Sequence, residues 1–149
     1  MIANTIDQEI KQAMLAKDQA KLRGLRAIKA AILLAKTEKG HAEEITEEAE
    51  MKILQRLVKQ RKESATIYKE QGREDLFTVE QEEIDVINQF LPQQLDNEAI
   101  VKVVARIIAE TGATSIKEMG KVMGLANKEL AGKADGKLIG ELVKNQLAN

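Results

Sequence analysis

The chain has no cysteine and no tryptophan, and only three aromatic residues, Tyr68, Phe77 and Phe90. Without cysteine there are no disulfides, no thiol nucleophile and no zinc–thiolate centre. With so few rings, the core has to be built from Leu, Ile, Val, Ala and Met. There is a single proline, Pro92, and a single histidine, His41. No apolar run approaches the roughly 18 residues of a membrane span, and "MIANTIDQEIKQ" lacks the basic and apolar regions of a secretory signal. A soluble cytoplasmic protein is the resulting expectation. Charge of one sign is also missing: 23 basic and 24 acidic residues leave a net −1. The whole protein is thus no strong electrostatic magnet for nucleic acid.

What is present is helical periodicity. Of the 149 residues 44% are hydrophobic and 32% charged, a globular balance. No stretch alternates as a strand does, so the fold class expected is all-α. Thr5 to Gln8 fits a capping box for a first helix carrying Ile6, Ile10 and Met14. Asp18 suits the cap of a second, with Leu22, Leu25, Ile28, Ile32 and Ala35 as its apolar stripe. Thr46 opens a long third helix with Leu54, Leu57, Val58, Ala65 and Tyr68 inward, ending at Gly72. A fourth begins near Glu74, carries Leu76, Val79, Ile84, Ile87 and Leu91, and must stop before Pro92. The segment "LPQQLDN" marks the boundary between an N-terminal four-helix domain with a long helical hairpin, residues 1–92, and a small three-helix tail, residues 93–149. In the tail Asp96 caps a helix ended by Gly112, and Ser115 to Glu118 forms a capping box for a helix reaching Gly132. Asp135 caps the last helix, with Leu138, Ile139, Leu142, Val143 and Leu147 inward.

Five glycines crowd "GKVMGLANKELAGKADGKLIGELVK". Each interior helical glycine costs about 1 kcal/mol relative to alanine, so a compensating role is expected. Gly132 reads as the residue just past a helix end, and Gly136 as a first-turn residue. Gly120 and Gly124, four apart, share a face and are expected to form a groove for a closely approaching helix, with Gly140 as its counterpart. The alternative of a phosphate-binding P-loop fails. Gly132 and Gly136 are one residue too close, Leu138 replaces the magnesium-binding hydroxyl, and no strand precedes them.

Catalytic candidates are few. His41 lies between two helices, where a lone histidine is usually solvated. The run Glu43, Glu44, Glu47, Glu48, Glu50 lacks the spacing of an EF-hand and suits a helix start for dipole reasons. Ser64 and Ser115 have no histidine near them in sequence, and Glu80, Glu82 and Glu83 read as carboxylates on a solvated helix. No catalytic residue, metal ligand or cofactor site is assigned. The basic residues are more informative. The third helix carries Arg56, Lys59, Arg61 and Lys62, continued by Lys69 and Arg73, and the second carries Arg23, Arg26 and Lys29. From Ser115 onward six lysines face four carboxylates, a mildly basic tail. Lys121, Lys133 and Lys137 follow glycines, and together with Lys59, Arg61 and Lys62 they are the candidate RNA contacts. The tail has no aromatic residue, so any RNA would be read through backbone and shape rather than stacked bases.

"MGKVMG" and "GKADGKLIGELVKNQL" resemble the tail signature of the GatB/YqeY family. "LRAIKAAI", "VKQRKESA", "YKEQGREDL" and "FLPQQL" extend the resemblance along nearly the whole chain, in the arrangement of a stand-alone YqeY-like protein. It implies an all-helical domain followed by a three-helix tail. The related tail closes the B subunit of the amidotransferase that converts Glu-tRNA(Gln) or Asp-tRNA(Asn) to the amide, a carbon–nitrogen ligase with glutamine as amido donor. Similar tails on some glutaminyl-tRNA synthetases are associated with tRNA contact. This chain lacks the cradle that binds ATP and activates the carboxylate, so catalysis by the chain alone is not expected. The resemblance implies a non-catalytic tRNA-associated module, with tRNA, an aminoacyl-tRNA synthetase or an amidotransferase as partners; neither membrane nor DNA is an expected partner. The alternative is an adaptor that docks proteins through its helical hairpin, or an accessory of a glutamine-dependent ligase complex.

Overall fold

The computed structural model describes residues 1–38 and 44–148. Among these residues there are seven α-helices, one 3-10 turn and no strand, so the fold is all-α. His41 and Glu43 lie outside the described residues. The chain falls into two compact units, Met1–Pro92 and Gln93–Asn149.

The first unit contains α1 (Ile2–Leu15), α2 (Gln19–Glu38), α3 (Glu47–Glu70) and α4 (Glu74–Asn88). The starts of α2 and α3 are set locally. The Asp18 carboxylate accepts from the Lys21 amide at 3.1 Å, and the Thr46 hydroxyl accepts from the Ala49 amide at 3.1 Å. Acidic Glu47, Glu48 and Glu50 occupy the first turn of α3, where the helix dipole favours them. Gly72 sits at φ +71 in the tight turn from α3 to α4, a left-handed geometry that a side chain would strain. Leu25, Ile28, Leu54 and Ile87 are wholly buried, each contributing about 1.5–3 kcal/mol by leaving water. Val86 joins them, although it falls outside the stripe expected for α4.

Two features of this unit differ from the sequence expectation. Helix α1 begins at Ile2, not at a Thr5 cap, and the Thr5 hydroxyl instead donates to the Ile2 carbonyl at 3.5 Å. The first amides of α1 are satisfied from another helix. Glu50, only 5% exposed, accepts from the Ile2 amide at 2.8 Å and from the Ala3 amide at 2.9 Å. It bridges 48 positions of chain to cap a helix start. The second difference concerns close helix approach. It occurs at Gly24 of α2, where an added Cβ would stand 2.6 Å from Val86 Cγ1 of α4.

The second unit contains α5 (Asn97–Thr111), the 3-10 turn Ile116–Glu118, α6 (Met119–Glu129) and α7 (Gly136–Ala148). Asp96 caps α5 through the Ala99 amide at 2.8 Å, and Gly112 ends it in the left-handed region. Ser115 and Glu118 do form a capping box, but it opens a 3-10 turn before α6 begins. Gly132, buried at φ +75, shapes the turn between α6 and α7. The turn is tied down from the segment before α5. Gln94 donates to the Gly132 carbonyl at 2.6 Å, and the Leu95 amide to the Lys133 carbonyl at 3.0 Å. Ile100, Val104, Val122, Leu130, Ile139 and Val143 make the aliphatic core.

The groove expected at Gly120 and Gly124 is not there. Both are exposed, and a Cβ at either would meet nothing within 4 Å. The core side of α6 is carried by Val122 and Ala126, which points both glycines away from α5 and α7. At Gly140 a Cβ would rest 3.6 Å from Met123 Cε, an ordinary contact. Gly136 also faces open space in the first turn of α7.

Candidate nucleic-acid interface

The tail lysines are Lys117, Lys121, Lys128, Lys133, Lys137 and Lys144, and all six are exposed. Exposure follows from helical spacing. On α6, Val122 and Ala126 take the buried face, and Lys121 and Lys128 fall outside it. On α7, Ile139, Val143 and Leu147 are buried, and Lys137 and Lys144 fall outside that stripe. None of the six forms an ion pair within 4 Å among the described residues. The other cations of this unit behave differently. Arg106 is held by both Glu110 and Glu129, and Lys102 sits 3.8 Å from Glu98. The Glu129 hydrogen bond, then Glu110, pushes the Arg106 guanidinium above its ordinary pKa.

Glu118 is the acidic neighbour of Lys121. Its carboxylate accepts from the Thr114 and Ser115 amides, and those bonds, with the Lys121 charge as a lesser cause, hold it below the ordinary glutamate range. It is therefore ionised and committed to the capping box. Asp135 stands exposed at the start of α7, where its backbone carbonyl accepts the first helical bond, from the Ile139 amide at 3.0 Å.

The candidates in α3 separate. Lys59 and Lys62 are exposed, whereas Arg61 is turned inward, with 18% of its side chain exposed. Arg61 donates to the Leu57 carbonyl at 3.2 Å and lies 3.9 Å from Glu83 of α4. It is thus an inward-turned cation beside Glu83 rather than a surface one. The carboxylates of α4 are likewise engaged rather than simply solvated. Glu82 bonds Arg23 of α2, Glu83 pairs with Arg61, and Glu80 stands half-buried beside them. Burial first, and the nearby Glu83 charge second, push the Glu80 carboxyl above its ordinary value.

Of the two candidate serines, Ser115 is used in its capping box, and Ser64 is half-buried on α3. Among the described residues no group of three or more histidine or acidic side chains is placed to hold a metal ion. No helix among them is long and apolar enough to cross a membrane.

Two compact helical units, the second carrying six exposed lysines, make up this all-α protein. The family model for Yqey-like protein matches residues 3–147, and the chain belongs to that family. No curated protein matches the chain.

Proposed function

We propose that the second unit binds the phosphate backbone of folded RNA, with tRNA as the RNA, and that it acts without catalysis of its own. The observation that carries this reading is the contrast among its cations. Six lysines stand exposed and unpaired among the described residues, while Arg106 is held by both Glu110 and Glu129 and the exposed Lys102 lies 3.8 Å from Glu98. An unpaired exposed lysine is a strongly hydrated point charge that can exchange its counterion shell for phosphate oxygens. The bare backbone at Gly120 and Gly124 adds a second support. With no Cβ in the way, a sugar–phosphate strand can approach α6 closely beside Lys121. The kinship of this tail with tails that contact tRNA supplies the choice of RNA.

The test is a binding titration with unmodified tRNA over several salt concentrations. Lys121→Gln, Lys133→Gln and Lys137→Gln together are expected to weaken binding and to flatten the slope of log affinity against log salt by up to ~3, at about 0.9 per phosphate lost. Their folding stability should stay within ~0.5 kcal/mol of the parent. Identical binding by the triple variant at every salt would reject these lysines. Binding of tRNA that does not respond to salt would point instead to an apolar docking surface.

The glycines give an independent check with opposite signs for stability and binding. Gly124→Ala is expected to stabilise the unit by roughly 0.5–1 kcal/mol, since it gains helix propensity and enters open space. Gly120→Ala, at the second residue of α6, should gain less. If the bare backbone admits RNA, the doubly substituted protein melts higher in a thermal scan yet binds tRNA more weakly. A lower melting temperature would mean that these positions are packed after all.

A further inference from the structure

In the first unit a cleft of about 620 Å³ lies open between α3 and α4. Helical spacing explains its make-up. Lys62, Ala65, Thr66 and Lys69 recur at steps of three and four on α3, and Phe77, Gln81 and Ile84 do the same on α4, so two facing stripes line it. The floor is apolar: Ala65 and Ile84 are buried and Phe77 is half-buried. The rim is cationic, with Lys62 and Lys69 both exposed and neither in an ion pair within 4 Å among the described residues. Glu70, also on the rim, opposes them.

We infer that this cleft is a nucleotide subsite, taking a base on the Phe77 ring and its phosphate between Lys62 and Lys69. A flat apolar body with an attached anion is the ligand that an aromatic floor and two rim ammoniums jointly suit, and the cleft falls within the ordinary 300–1,000 Å³ of small-molecule sites. The Lys69 ammonium hovers 5.9 Å from the Phe77 centroid, near the outer limit of a cation–π contact. So loose a contact yields readily to a stacking base, and the displaced ammonium then stands beside the ligand's phosphate. Two acceptors face the base edge. The Thr66 hydroxyl donates to the Lys62 carbonyl at 2.9 Å, and the Gln81 amide nitrogen donates to Asp85 at 3.2 Å. Their oxygens remain to accept from an exocyclic amine, as adenine carries. This site lies in the first unit and does not rest on the tail lysines.

The chain has two phenylalanines, so the Phe77 ring signals are readily separated from those of Phe90 in a proton NMR titration. The probes are AMP, adenosine, inorganic phosphate and a short single-stranded oligoadenylate. AMP is expected to shift the Phe77 ring upfield, inorganic phosphate to bind about tenfold more weakly, the scale of one lost stack, and adenosine to bind more weakly through loss of the contacts with Lys62 and Lys69. Phe77→Leu should lose the advantage of AMP over phosphate. Lys62→Gln with Lys69→Gln should lose the advantage of AMP over adenosine, whereas Glu70→Gln should tighten AMP severalfold. The three polar positions are exposed, so they test the site even if Phe77→Leu fails to fold. Tighter binding of oligoadenylate than of AMP identifies an RNA strand as the source of the nucleotide; equal binding identifies a free nucleotide. If neither AMP nor oligoadenylate moves the Phe77 signals, or if phosphate alone binds as well as AMP, the subsite does not exist.

Discussion

Glu50→Ala is expected to destabilise the first unit by about 2–4 kcal/mol, a large share of the 5–15 kcal/mol typical of a folded domain. The Glu50 carboxylate receives the Ile2 amide at 2.8 Å and the Ala3 amide at 2.9 Å, and it is only 5% exposed. Hydrogen bonds to a charged partner contribute about 1.5–3 kcal/mol, and an abandoned buried donor costs about 1–3. Ile2 is buried, so water cannot replace the lost partner there, whereas Ala3 is half-buried and can be partly rescued. The consequence extends beyond the cap. Ile2 and Ile6 belong to the core, and a frayed start to α1 withdraws both from it. Glu50→Gln keeps one acceptor oxygen and should cost about half as much. Glu48→Ala is the control: exposed and in the same first turn of α3, it should stay within ~0.5 kcal/mol. Urea unfolding of the three variants checks the ranking. If Glu50→Ala behaves like Glu48→Ala, Glu50 serves the dipole of α3 and nothing more.

The elements legible in the sequence are those whose causes lie within one helical turn. Asp18, Thr46 and Asp96 each bond an amide three residues ahead, so a local pattern reveals the cap. The capping box at Ser115 was legible for the same reason, although its product is first a 3-10 turn. Glu50 and Arg61 were not recognised, because their partners lie far along the chain. Yet the pattern held a signal for both. Positions 50, 54, 58, 61, 65 and 68 step by fours and threes along α3, so Glu50 and Arg61 occupy the same stripe as Leu54, Val58 and Ala65. A charged residue in an apolar stripe points to a partner on a neighbouring helix rather than to a surface run. The glycines carry a similar lesson. Gly120 and Gly124 keep step with Lys121 and Lys128, the polar side of α6. Gly24 keeps step with Ile28 and Ile32, the core side of α2. The cost of an interior glycine signals that something compensates; only its place relative to the core stripe says where to look. For the candidate interface, exposure of the tail lysines followed from helical phase. Which cations would be neutralised did not, since the Arg106 contact with Glu129 joins residues 23 apart.

Gly24→Leu should be strongly damaging, and Gly24→Ala the more informative substitution. Helix propensity alone favours alanine by about 1 kcal/mol. Against it stands geometry: the new Cβ would lie 2.6 Å from Val86 Cγ1 and 2.8 Å from Val86 Cβ. A Cβ is fixed to its backbone, so turning the valine side chain cannot relieve the second clash, and α2 and α4 must separate. Both helices feed the same core, through Leu25 and Ile28 on one side and Ile87 on the other. Separation therefore loosens packing well beyond one contact. Overpacking of this kind typically costs about 1–3 kcal/mol, and we expect a net loss in that range for Gly24→Ala and a larger one for Gly24→Leu. Val86→Ala supplies the decisive comparison. Alone it removes buried methyl groups and should destabilise. In the Gly24→Ala background it should cost less than it does alone, since it removes the Cγ1 clash while leaving the one with Cβ, with a coupling of about 0.5–3 kcal/mol in the double-mutant cycle. Thermal melts of the four proteins measure it. Additive losses, or a Gly24→Ala protein that melts above the parent, would mean that α2 and α4 do not depend on this close approach.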